Sequence, residues 1–361
     1  MKKILALTLA LFLTIPVFVG CAGTTVVVND CTCSGQSQPP VVEVTCDCPC
    51  KNQGAVKTGL SISTKISDSI SATAEKDGEA KYDVTIAAVL VDDSGVIVSC
   101  AIDSVPATVK FNASGAITSD LKQAPLTKNE LGENYGMVAW GGATSEWDVQ
   151  VAAVAKYAEG KTIDQLKNGD IDMTTGMAKD GTDLASSATI YLAGYVYAIE
   201  AAVNNAKHVG AQAGDTLVLS TLNSVKSSVA ATAEKAGTAQ LDSDIVALTK
   251  KGDTITSCVI DAVQAKVSFD ATGKITTDLS AKVETKNELG ENYGMVAWGG
   301  ATSEWNVQAA AYASYIKGKT AAEVAGIAIT ETTKPADGTD LASSVTIAIG
   351  GFQALIAKAM Q

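Results

Sequence analysis

The chain writes one 21-residue block twice. "TKNELGENYGMVAWGGATSEW" runs from Thr127 to Trp147 and returns unchanged from Thr285 to Trp305. Around it the copies drift yet stay aligned: "SATAEKDGEA" answers to "AATAEKAGTA", "SCAIDSV" to "SCVIDAV", and "FNASGAIT" to "FDATGKIT". The offset stays between 157 and 159, so insertions are single residues. Units of about 150 residues have the size of domains rather than of solenoid repeats. Two tandem homologous domains are therefore expected, at 58–209 and 215–361, meeting in "VGAQAGD" at Val209–Asp215.

Within a unit the pattern reads as helix or strand, then a β-meander, then helices. Tyr82–Val91 and Val96–Ile102 are β-rich runs joined by the turn signal "DDSG", and a third strand carries Val109 and Phe111 before a turn at Ser114-Gly115. In the second copy Lys251-Gly252-Asp253 and Thr272-Gly273 mark the turns. Trp147, Val151, Val154 and Ala158 recur at helical spacing, as do Trp305, Ala309, Tyr312 and Ile316. Ser145 or Ser303 would cap this helix, and Gly160 or Gly318 would stop it. A last helix would begin near Asp183 or Asp340, each suited as N-cap. The expected fold class is α+β, each repeat a small antiparallel sheet packed with helices.

The first 20 residues read as an export signal. Lys2 and Lys3 precede the apolar run "ILALTLALFLTIPVFVG", and "FVGC" resembles a lipobox with Phe18 in place of the commoner Leu. Cleavage before Cys21 would leave that residue to carry lipid on its thiol and its amino group, a stable anchor outside the cytoplasm. Residues 21–57 read as a Cys- and Pro-containing linker. Its Cys31, Cys33, Cys46, Cys48 and Cys50 suit disulfides or a metal, although single-residue spacing departs from the CxxC zinc pattern.

Charge and residue usage exclude several functions. A net charge of -12 argues against nucleic-acid binding, which needs clustered positive charge. All 27 basic residues are Lys, so any phosphate must be held without a guanidinium fork. His208 is the only histidine and lies between the repeats, which excludes a Ser-His-Asp triad or a His-based metal site in each domain. Neither GxGxxG nor a P-loop is present. Cys100 and Cys258 alternate with Ile102 and Ile260 and read as small core hydrophobes.

Two segments remain as candidate sites. All four Trp lie in the identical blocks; Trp147 and Trp305 read as helix anchors. Trp140 and Trp298 stand beside Gly141-Gly142 and Gly299-Gly300, with Tyr135 and Tyr293 nearby, a combination suited to a flat aromatic ligand. The second segment is "DGTDLASSATI" at Asp180–Ile190, returning as "DGTDLASSVTI" at Asp337–Ile347. Asp183 with Ser186 or Ser187 could satisfy free N–H groups at a helix start, where an anion would also be favoured.

This second segment resembles the acceptor sequence of extracytoplasmic flavin transferases, Asp-x-x-Ser/Thr-Gly-Ala-Thr/Ser, in which FMN is joined through its phosphate to the final hydroxyl. Asp183, Ser186, Ala188 and Thr189 match the first copy, and Asp340, Ser343 and Thr346 the second. Ser187 and Ser344 replace Gly, and Val345 replaces Ala. Together with "TKNELGENYGM", the Trp-Gln-bearing helix and "GKT", the chain resembles the duplicated FMN-binding lipoproteins of Gram-positive bacteria, the PplA-like group, over roughly 300 of its 361 residues. The resemblance implies two covalent FMN groups, on Thr189 and Thr346, and a flavin transferase for maturation. It also implies a membrane donor such as a quinone-linked dehydrogenase, and acceptors such as ferric iron. An electron carrier is then expected rather than a stand-alone enzyme. Two other readings are a surface lipoprotein that binds a non-covalent flavin, peptide or glycan through the Trp/Gly loops, and a purely structural envelope lipoprotein.

Overall fold

The computed structural model describes residues 54–361. The export signal, Cys21 and the five linker cysteines lie outside the described residues. The protein is α+β. In the first repeat, β1 (Lys57–Lys65), β2 (Gly78–Val91) and β3 (Ile97–Phe111) form an antiparallel meander in that order. Then follow α1 (Lys128–Leu131), α2 (Trp147–Ala158), α3 (Ile163–Asn168), the small ribbon β4 (Ile171–Asp172) and β5 (Met177–Ala178), α4 (Asp183–Ser187) and α5 (Ala193–Asn205). The second repeat gives β6 (Thr216–Ser224), β7 (Gly237–Lys251) and β8 (Thr254–Phe269) as a second meander, then α6 (Lys286–Leu289), α7 (Trp305–Tyr315), α8 (Ala321–Ala325) and α9 (Gly350–Ala359).

The opening element of each repeat is a strand. The two runs expected at Val96–Ile102 and around Val109 belong to one continuous strand, β3. Asp103, Ser104 and Pro106 interrupt its apolar pattern, which is why the sequence reads as two pieces. Pro106 sits opposite Asp83 on an outer strand of the sheet, where a missing N–H is tolerated. The turns lie where expected: Asp92 Oδ1 accepts from the amides of Ser94 and Val96, both at 2.9 Å, and Gly252 turns β7 into β8 with φ of 58°.

Side chains alternate along β2, and the alternation defines the layers. Ala80, Tyr82, Val84, Ile86 and Ala88 face the second repeat, packing with Ala239, Leu241, Ile245 and Ala247 of β7 in one core. Ala87 and Val89 face the other way, onto the buried stripes of α2 and α5; Val246 and Leu248 face α7 and α9. The result is two sheets face to face with helices outside both. The repeats thus share their largest core, and the described residues form one compact unit.

Equivalent residues meet at one end of that core, where β3 and β8 finish. Phe111 and Phe269 stack with centroids 4.0 Å apart and planes 4° apart. The amide of Ala72 donates to Gly273 O, and that of Ala231 to Gly115 O, both at 2.8 Å. Gly115 and Gly273 have positive φ, and a Cβ on either would meet a methyl of the other repeat within 2.8 Å, so these turns need glycine.

Four helix starts differ from the sequence reading. Glu146 and Glu304, not Ser145 and Ser303, occupy the N-cap positions of α2 and α7, and their carboxylates are engaged elsewhere. Asp183 does not cap a long helix. Thr182 caps the short α4, its extended backbone letting the hydroxyl accept from Ala185 N at 3.2 Å. In the second repeat "DLASS" makes only a 3-10 turn at Leu341–Ser343. The last long helices start at Ala193 and Gly350, so both acceptor-like segments precede them. The stripes Trp147/Val151/Val154/Ala158 and Trp305/Ala309/Tyr312/Ile316 are buried as expected, and Gly160 and Gly318 take positive φ just beyond their helices.

Candidate functional site

Thr189 and Thr346 stand just past the short helical turns, exposed, each preceded by a buried residue (Ala188 or Val345) that anchors the segment in the outer core. Gln150, on α2, holds the first of them. Its Oε1 accepts from Thr189 N at 2.7 Å and from Thr189 Oγ1 at 3.2 Å, while its Nε2 donates to Ser145 O at 2.9 Å. Gln308, on α7, repeats this with Thr346 N at 2.7 Å, Thr346 Oγ1 at 3.2 Å and Ser303 O at 2.8 Å, and adds Ile347 N at 3.1 Å. Both glutamines are buried (1% and 0% exposed). A buried amide must satisfy its donor and acceptor sides, and here it does so by tying each threonine to the end of the Trp/Gly loop.

The serines do not cap the helix. Ser186 Oγ and Ser187 Oγ donate to Asp183 O at 2.7 and 3.0 Å; Ser343 Oγ donates to Asp340 O at 2.8 Å and Ser344 Oγ to Leu341 O at 3.3 Å. This is the back-bonding that hydroxyls use inside helical turns. All four serines are exposed beside the threonines, as are Asp183 and Asp340.

The Trp/Gly loop is fastened to the first turn of the same helix. Glu146 accepts from the amides of Met137 (2.8 Å) and Val138 (3.0 Å), and Glu304 does so for Met295 (2.9 Å) and Val296 (3.0 Å). Trp140 and Trp298 project from these loops at 90% and 89% exposure, large apolar rings left in solvent. Each ring lies against a glycine: a Cβ on Gly136 would sit 2.3 Å from Trp140 Cδ1, and one on Gly294 2.1 Å from Trp298 Cδ1. Gly141 and Gly299 leave no room for a Cβ beside the carbonyls of Met137 and Met295, and Gly142 and Gly300 have positive φ.

Tyr135 and Tyr293 belong to a different cluster. Lys128 Nζ lies 5.2 Å from the Tyr135 ring centroid and 5.1 Å from that of Trp147; Lys286 lies 5.2 Å from Tyr293 and 4.8 Å from Trp305. These cation–π contacts anchor α1 to α2 and α6 to α7. Trp147 and Trp305 are buried anchors, as read from the sequence; Trp147 Nε1 donates to Tyr195 OH at 2.9 Å. Cys100 and Cys258 lie among core residues, and burial pushes the Cys100 thiol up to about 12 and that of Cys258 higher still, so neither is a thiolate at neutral pH.

The structure therefore brings Thr189, Ser186 and Ser187 and the Trp140 loop to one end of α2, and their counterparts to one end of α7. Sequence reasoning gave no role to Gln150, Gln308, Glu146 or Glu304. The signal was a polar Gln inside an otherwise apolar helical stripe, three residues after Trp, in both copies. Among the described residues, no group of three His, Cys, Asp or Glu side chains gathers as a metal site, and no helix is long and apolar enough to cross a membrane.

No protein-family model matches the chain, and no curated protein or solved structure matches it.

The donor set of each site suits FMN. An exposed hydroxyl on a fixed backbone offers an ester oxygen, and an exposed indole offers a stacking face. The exposed hydroxyls of Ser186 and Ser187, or Ser343 and Ser344, would donate to phosphate oxygens only by turning away from the backbone carbonyls they now bond. No guanidinium is available to hold a dissociable phosphate, which favours a covalent link.

Proposed function

We propose that this protein is a lipid-anchored extracytoplasmic flavoprotein carrying two FMN groups, esterified through their phosphates to Thr189 and Thr346. It would shuttle electrons from a membrane donor, such as a quinone-linked dehydrogenase, to extracellular acceptors such as ferric iron. One observation carries the reading. In both repeats an exposed threonine hydroxyl rests on a buried glutamine that also holds the end of an exposed Trp loop, with matching distances of 2.7 and 3.2 Å. The resemblance of "DLASSAT" and "DLASSVT" to flavin-transferase acceptor segments points to the same two hydroxyls.

Bound FMN supplies the one- and two-electron chemistry. The chain's own residues attach and orient it. Gln150 and Gln308 fix the threonine backbone, the serines border the phosphate, and Trp140 and Trp298 offer the ring a partner. Outside the cell a dissociable flavin would be lost, so attachment and a lipid on Cys21 serve one purpose. The two attachment residues lie in helical layers on opposite sides of the paired sheets, which are themselves about 10 Å apart.

Co-expression with a flavin transferase tests this reading. A band fluorescent after denaturing electrophoresis and an intact mass with two FMN additions are expected, and Thr189→Val should remove one addition. Protein that gains no FMN under those conditions sinks the proposal. If flavin co-purifies but dialyses away after denaturation, the Trp loops hold a non-covalent ligand instead.

A further inference from the structure

The paired sheets have two edges that the repeat makes equivalent, β3 beside β6 and β1 beside β8, and sequence drift has treated them differently. At the β3/β6 edge, Lys358 of α9 reaches Glu130 of α1 and donates to Thr221 O at 2.7 Å, while Asn223 Nδ2 donates to Pro125 O at 3.1 Å. At the β1/β8 edge the counterpart of Lys358 is Ala201, and Glu288, the counterpart of Glu130, pairs with Lys282 at 2.8 Å instead. There Thr58 Oγ1 and Ser257 Oγ join β1 to β8 at 2.8 Å, but the helical layer above stays open. A cleft of about 820 Å³ runs along α7, walled on the far side by the end of α5 and Lys207–Val209.

The cleft has an apolar floor and polar ends. Leu60, Val259, Val307 and Ala310 line its middle. At the start of α7 lie Asn306, Asn287, Asp261 and Glu288; near its end lie Lys317, Lys207 and His208. Among the described residues, Asn306 Oδ1 is closed off from solvent without a partner, as is Oδ1 of its first-repeat counterpart Asp148, whereas Asn306 Nδ2 keeps solvent access and makes no hydrogen bond. Asn287 Nδ2 is already committed to Ile260 O. Lys207 and Lys317 are exposed and make no ion pair among the described residues, whereas His208 is held by Asp93 at 2.8 Å. The path from Asn306 along α7 and the turn that follows it to Lys317 spans roughly 16 Å, the length of about four or five extended residues.

We propose that this cleft binds a short extended peptide with a free C-terminus. The carboxylate lies at Lys207 and Lys317, Asn306 Nδ2 donates to a backbone carbonyl, and the ammonium shares the Glu288 carboxylate with Lys282. Small side chains rest on Leu60, Val259, Val307 and Ala310. Recognition runs through termini and backbone, so it tolerates varied side chains, and it does not require flavin on Thr189 or Thr346.

Calorimetric titration of the intact chain with penta-alanine is the direct test, with its C-terminal amide and sodium acetate as comparisons. Penta-alanine should bind saturably, and the amide about tenfold more weakly, as expected for losing about 1.4 kcal/mol of charge-assisted bonding. Lys317→Glu should weaken binding similarly, and Val307→Trp should abolish it. Both positions are exposed, so neither change threatens the fold. A Thr189→Val/Thr346→Val double variant should bind as the parent does, which separates this proposal from the flavin reading. The proposal is overturned if penta-alanine fails to bind, if acetate binds as well as the peptide, or if Val307→Trp leaves binding unchanged.

Discussion

Gln308 presents one amide oxygen to both the backbone N–H and the hydroxyl of Thr346, at 2.7 and 3.2 Å, from a fully buried position on α7. A hydroxyl that donates to a fixed acceptor keeps its lone pairs turned outward, where an electrophilic phosphorus can reach them. The same amide's other end holds Ser303 O, so the bracket cannot swing. Gln308→Leu would leave two backbone amides without their acceptor and should cost about 1–3 kcal/mol of stability. It should also slow FMN attachment at Thr346 by about tenfold or more, the effect of losing roughly 1.4 kcal/mol of positioning. Peptide mass mapping after timed co-incubation with transferase separates the sites, because Thr189 should be modified at the parent rate. Equal rates at both threonines would mean the glutamine serves the fold alone.

Trp140 and Trp147 share a sequence block and have opposite fates. Trp147 is 3% exposed, so Trp147→Ala should cost about 3–5 kcal/mol. Trp140 touches little beyond Gly136, and Trp140→Ala should change stability by less than about 0.5 kcal/mol. With FMN attached, loss of the indole should raise flavin fluorescence, because a stacked indole quenches it. Unchanged emission in both Trp140→Ala and Trp298→Ala would remove the rings from the flavin site.

Much of this arrangement was legible in the sequence. The duplication, the α+β class, the helix stripes and the buried Trp pair follow from period and repetition, which are local properties. The glutamine bracket was visible only as a polar residue in an apolar stripe, because its partner lies 39 residues away in the first repeat. The continuous β3 was hidden by Pro106, whose tolerance depends on its place at the side of a sheet. The sharing of one core by both repeats was hidden for a similar reason. A strand buried on both faces reads the same whether helices or a second sheet cover it.

That sharing has a thermodynamic consequence. Phe111 and Phe269 stack across the repeat boundary, and Tyr82 OH donates to Ala239 O at 2.8 Å. Neither sheet keeps its inner face dry alone, so both repeats should unfold together in one calorimetric transition. Phe111→Ala should lower stability by about 3–5 kcal/mol and shift that single transition as a whole. Two resolved transitions, with only the first-repeat one shifted, would show that each repeat folds independently.

Acid and neutral pH should distinguish the buried carboxyl of Asp261. Burial pushes it from the ordinary 3.8 up to about 6, against the lowering pull of the Thr285 hydroxyl and the amides of Asn287 and Ala262. In the unfolded chain the same group titrates near 3.9. Between about pH 4 and pH 6 the unfolded chain has released this proton while the folded chain keeps it, so stability contributed by the neutral carboxyl falls as pH rises through that window. The loss is on the order of 3 kcal/mol at most, complete above about pH 6. Asp261→Asn keeps an oxygen for the amides of Ala262 and Asn287, which donate at 2.7 and 3.0 Å, and it cannot ionise. The variant should therefore match the parent near pH 4 and exceed it at pH 7, as read from urea unfolding at each pH. A difference between the two proteins that stays constant from pH 4 to pH 7 would place the Asp261 carboxyl in its ordinary range, with Asn287 and Ala262 stabilising the carboxylate as fully as burial opposes it.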